Sequence, residues 1–91
     1  MSETEEAPVD RSTIEKSVKK VISEILRIDE VEITPNANFI FDLGADSMHS
    51  IQLVAAFEEE FDIEMNEEEA FSVQTVAAAV DLIQNTLENR S

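Results

Sequence analysis

The chain has 91 residues, and 21 acidic against 6 basic side chains give it a formal net charge of -15 at pH 7. A chain this short forms one domain at most and buries too little surface to support a deep catalytic site as well as a core, which disfavours an enzyme. Its charge repels nucleic acid and anionic headgroups and selects basic partners, while the lack of Cys excludes disulfides, thiolate metal sites and any thiol of the polypeptide's own.

Residues 1–11 combine Ser, Thr, Glu and Pro with almost no large apolar side chain, so a flexible N-terminal tail is expected there, without the apolar run of a signal peptide. No stretch reaches membrane-spanning length, so a soluble, cytoplasmic protein without stable membrane insertion is expected. The folded domain is expected over 12–88, with 89–91 frayed. Ser12 and Glu15 have the spacing of a capping box, and Ile14, Val18, Val21, Ile22, Ile25 and Leu26 follow at helical period, which predicts a first helix. From Ile28 to Asp46 that period is lost among Pro35, Asn36, Asn38 and Gly44, the only glycine. So long a connection in so small a domain is either functional or packed on the core, and Val31, Ile33, Phe39, Ile40 and Leu43 are the expected packing residues.

Asp46 suits an N-cap, and 47–61 is free of Gly and Pro and rich in helix formers, so a second helix is predicted to start at or beside Ser47. At about 100° per residue, Leu53, Val54, Phe57 and Phe61 gather on one side, with Met48, Ile51 and Ala55 nearly opposite. Both stripes cannot face one small core, so the second is expected outside it. Asn66 followed by Glu67, Glu68 and Glu69 predicts a short helix, and Thr75 caps a last one carrying Val76, Val80, Ile83 and Leu87. No segment alternates strictly enough to argue for a strand, so the fold class is all-α: three main helices, one short helix and one long ordered loop between the first two main helices.

The segment Asp42-Leu43-Gly44-Ala45-Asp46-Ser47-Met48 sets a hydroxyl at the end of the loop and the start of a helix. A phosphate on Ser47 would meet the partial positive charge of the helix N-terminus there. By itself, however, Ser beside Asp at a helix start is far more often a plain capping or turn residue. The segment D-L-G-A-D-S-M resembles the D-L-G-A-D-S-L signature of acyl carrier proteins, and the likeness runs from Ser12 to about Gln84, through S-T-I-E, E-E-E-F-D and T-V-x-A-A.

That resemblance implies a carrier, not an enzyme, whose Ser47 bears a covalent 4'-phosphopantetheine arm with acyl groups held on it as thioesters. The missing thiol would then be imported. The resemblance makes Asp46 the acid that helps the transferase and its metal engage, and Met48, Ile51 and Ala55, flanked by Glu58 and Glu59, a docking stripe for basic partners. Those partners would be a phosphopantetheinyl transferase and acyl-synthesising or acyl-transferring enzymes, met by a monomer whose paired charges favour fast, weak encounter. The chain departs from the family's usual pattern at Met48, where Leu is common; at His49 and Gln52, where acids are frequent; and at Phe71, where a polar residue is usual.

Three rival readings are weaker. A hydrolase using Ser47 and His49 is disfavoured because positions two apart on a helix diverge by about 200°, and Ala45 replaces the first glycine of the G-x-S-x-G elbow. His49 is expected to face solvent. A calcium sensor lacks its D-x-[DN]-x-[DN]-G loop. A noncovalent helical adaptor with an exposed apolar groove remains open.

Overall fold

The computed structural model of the chain describes residues 10–89. Four helices follow in order: α1 (Arg11–Leu26), α2 (Ser47–Phe61), α3 (Glu67–Ser72) and α4 (Val76–Glu88). The fold is all-α, with no strand among the described residues. Most of the expected N-terminal tail, 1–9, and the last two residues lie outside the described part.

α1 starts two residues earlier than its capping-box signal. Asp10 is the N-cap, accepting the Ser12 N–H at 3.1 Å, so Ser12 sits inside the first turn. The short Asp10 carboxylate reaches the free amides better than Ser12 can from within the helix. The helix ends at Arg27, left-handed at φ 60, whose N–H donates to the Ser23 carbonyl, as in the αL type of stop. One stripe of α1, Ile14, Val18, Val21 and Ile22, is buried, with Ile25 and Leu26 partly so. Against it pack Val76, Ala79, Val80 and Ile83 of α4, and removing each large side chain from water contributes about 1.5 to 3 kcal/mol. Arg11 joins the open end of this seam: its Nη1 lies 2.7 Å from Asp81 Oδ1 and donates to Gln84 Oε1 at 2.9 Å.

The connection from α1 to α2 is ordered and packed. Ile33, Ala37, Phe39, Leu43 and Ala45 are buried, but the expectation for Val31 and Ile40 fails, since both are exposed. Val31 sits on a 3-10 turn, Glu30–Glu32, which turns its side chain to solvent. Backbone bonds moor the loop to the joint between α3 and α4: Phe39 N–H to the Gln74 carbonyl at 3.0 Å, Val76 N–H to that of Ala37 at 3.1 Å, and Ala77 N–H to that of Pro35 at 2.9 Å. The Phe39 N–H and the Pro35 and Ala37 carbonyls are thereby paired without a sheet. Asn66 and Thr75 cap α3 and α4 as their sequences predict, Asn66 accepting from the Glu68 and Glu69 amides and Thr75 from that of Ala78.

Candidate functional site

The loop ends in a tight knot around Asn38. Its Oδ1 accepts the Ile40 and Phe41 amides, each at 2.9 Å, while its own N–H donates to Asp42 Oδ2 at 2.7 Å. The Asn38 carbonyl accepts from Asp42 and Leu43, and the Ala45 N–H donates to the Phe39 carbonyl at 2.7 Å. Gly44 reverses the chain at φ +77; a Cβ there would touch nothing within 4 Å, so conformation and not space calls for glycine. With Ala45 buried as an anchor, the chain enters α2 through an extended Asp46.

Asp46 performs the capping, so Ser47 does not. Asp46 Oδ1 accepts the His49 N–H at 2.9 Å, and the amides at the helix start, that of His49 first, hold its carboxyl below the ordinary carboxylate range. His49 closes the cap from the other side: its Nδ1 lies 3.4 Å from the Asp46 N–H and 3.2 Å from Asp46 Oδ1. One Nδ1 serves these two contacts in turn, accepting from the amide when it carries no hydrogen and donating to the carboxylate when it does. His49 is thus a half-exposed capping partner, turned to Asp46 and not to Ser47. Ser47 is exposed, and its hydroxyl has no hydrogen-bond partner among the described residues.

From Ser47 two different faces of α2 run down the helix. Leu53 and Phe57 are buried, and Val54 and Phe61 partly so. Met48, 63% exposed, Ile51, 55% exposed, and Ala55 face away from the core. Glu59 is exposed, whereas Glu58 is half-buried and its Oε2 accepts the Met65 N–H at 2.9 Å, fastening the α2–α3 connection. Beside the buried stripe, between α2, α3 and the Asn38 knot, lies a cavity of about 310 Å³ whose walls include Leu53, Val54, Phe57, Ala70 and Val73. None of the residues lining it is charged, although the chain carries 21 acids. Ser50, one turn beyond Ser47 on the same side of the helix, stands at the cavity with its hydroxyl donated to the Asp46 carbonyl at 3.2 Å. Sequence periodicity does not reveal this cavity, because it is formed by side chains that fail to meet.

A free hydroxyl on an ordered knot, at the N-terminus of a 15-residue helix, fits a phosphate-linked group: nothing must be displaced to attach it, and the helix dipole favours its charge. Residues 16–83 match the family model described as phosphopantetheine attachment site. The chain belongs to that family. Among solved structures it is similar to a provisionally assigned acyl carrier protein from Mycobacterium tuberculosis, at 34% identity and a TM-score of 0.73, over 77% of this chain and 93% of that one. This is therefore a protein of the acyl carrier type, a carrier and not an enzyme, whose prosthetic group is phosphopantetheine. Proteins of this type work with a phosphopantetheinyl transferase and with acyl-handling enzymes. Among the described residues no helix is long and apolar enough to cross a membrane.

Proposed function

We propose that Ser47 is the attachment point, and that the chain carries acyl groups as thioesters on a 4'-phosphopantetheine arm and presents them to enzymes of fatty-acid or specialised lipid or polyketide synthesis. The observation that carries this reading is the division of labour at the helix start: Asp46 caps, and the adjacent Ser47 hydroxyl is left exposed and unbonded. In the loading step Ser47 Oγ attacks the phosphate of the pantetheine half of coenzyme A, the nucleotide half leaves, and the hydroxyl proton passes to a base of the transferase. Bound there, the group supplies the thiol that the polypeptide lacks.

In this reading Asp46 is the acid that the transferase and its metal engage. Met48, Ile51 and Ala55 form the apolar centre of the enzyme-docking face, with Glu59 at its rim meeting basic side chains. Glu58 adds charge to the same side while its carboxylate also holds Met65. The uncharged cavity one turn from Ser47 is where the acyl tail is kept from water. Work in the cytoplasm as a monomer belongs to the same reading.

Incubation with a transferase and coenzyme A should raise the intact mass by one phosphopantetheine, with the adduct mapping to Ser47. Ser47→Ala should take up none while keeping its helical signal, and Ser50→Ala should load normally. An adduct on another residue, or none with several transferases, would leave the noncovalent adaptor as the better account.

A further inference from the structure

Two aromatic side chains stand where an acidic surface protein has no use for them. Phe41 is 86% exposed and Phe71 51% exposed, yet both belong to the lining of the cavity, so they form its rim, joined by the exposed Ile40. They reach it from two different elements, Phe41 from the Asn38 knot and Phe71 from α3. We infer that Phe41 and Phe71 set the chain length this carrier protects, by covering the part of a long saturated acyl chain that extends beyond the cavity; the inference rests on attachment at Ser47.

The volume makes the need for such a cover concrete. About 310 Å³ is roughly twice the ~150 Å³ apolar cavity that takes a benzene ring, so this one holds on the order of ten carbons. A longer chain entering past Ser50 and Val54 therefore has methylenes left over at the mouth. Two rings at that mouth give those methylenes an apolar surface in place of water, and each methylene so covered shifts the balance from exposed to sheltered chain by about four-fold. A second copy of the protein is a poor occupant of the rim, since each copy carries a net charge of -15. Basic enzyme partners have the separate Met48, Ile51 and Ala55 face to meet.

The test loads wild type, a Phe41→Ser, Phe71→Ser double variant and a Val31→Ser control with hexanoyl, decanoyl and hexadecanoyl chains through acyl-coenzyme A and a transferase. Mass confirms loading at Ser47, and Tm and thioester cleavage by hydroxylamine are read for each. Wild type and Val31→Ser should gain Tm through hexadecanoyl. The double variant should stop gaining near decanoyl, and its hexadecanoyl thioester should cleave roughly fifteen-fold faster than wild type's, the effect of about two uncovered methylenes; hexanoyl forms should cleave alike. Identical length profiles in wild type and double variant would overturn the inference while leaving the carrier reading intact, and would assign the two rings to a partner protein. A long-chain gain in wild type that vanishes on dilution would overturn it in favour of a second copy. Failure to load Ser47 would overturn both.

Discussion

Along the seam of α1 and α4, Val18, Ile22, Val80 and Ile83 are at most 1% exposed, and Ile33 of the loop joins them there. Across α2, residues of the same kinds, Leu53, Val54, Phe57, Ala70 and Val73, enclose a cavity of about 310 Å³ instead. Composition does not separate the two regions; length and anchoring do. α4 has 13 residues and lays a full stripe on α1, while α3 has 6 and contributes one buried residue, Ala70. A helix that short, held by its Asn66 cap and the Met65 bond to Glu58, belongs to the part of a fold that opens most easily. One side of the molecule thus supplies stability, and the other has room for a guest.

The sharpest way to break this contrast is a pair of truncations. Ile83→Ala, in the filled seam, should cost about 2 to 5 kcal/mol in urea or thermal unfolding, as a cavity in a close-packed core does. Val54→Ala, on a wall that already borders open space, should cost less than about 1 kcal/mol, yet it should alter how an attached acyl chain changes Tm. Similar losses at the two sites would mean that the sides are packed alike.

A smaller effect sharpens the account of the seam. Arg11→Ala removes the contacts to Asp81 and Gln84 and a weaker one to Glu15 at 3.5 Å, all partly exposed, and should cost about 1 kcal/mol or less. The absolute Tm of both proteins should rise with salt, because screening relieves the repulsion behind a net charge of -15. The gap between them should narrow as salt rises. A gap that stays constant would show that Arg11 acts through packing of its stem and not through charge.

The smallest effect lies at the entry to α2. The folded Asp46 carboxyl titrates below its ordinary value of 3.8, so its charged form favours the folded state. That contribution is complete above pH 3.8 and is lost as pH falls through the lower folded value. Asp46→Asn retains a capping oxygen but not the charge. Its small deficit in Tm should therefore appear at neutral pH and close in stronger acid, and a deficit that persists unchanged there would assign the role to geometry alone.

The helices were legible because their chemistry is local. Leu53 and Phe57 against Met48 and Ile51 separate on a helical wheel, and Asp46, Asn66 and Thr75 are caps that residue type alone suggests. The misread positions are those where distant backbone decides. Val31 and Ile40 are apolar yet exposed, since a 3-10 turn and the Asn38 knot fix their direction. The bonds of Pro35, Ala37 and Phe39 to the α3–α4 joint leave no side-chain period to detect. Ser12 lost its capping role to Asp10, a residue that composition had assigned to the tail. At the site, the motif drew attention to Ser47, but only the geometry shows that Asp46 and His49 make up the cap without it. Phe71 stood out as a departure from the family's pattern; Phe41 did not, and its place on the same rim follows from the fold.

The contrast between the two sides is tested most directly by amide NMR of the Ser47-linked decanoyl form against the same protein carrying the unacylated arm. Shift changes and added protection should gather at Leu53, Val54, Phe57, Ala70 and Val73, and Val18, Ile22, Val80 and Ile83 should stay as they were. Changes centred on the α1–α4 seam, or confined to the Met48, Ile51 and Ala55 face, would contradict the assignment of cargo to the cavity side.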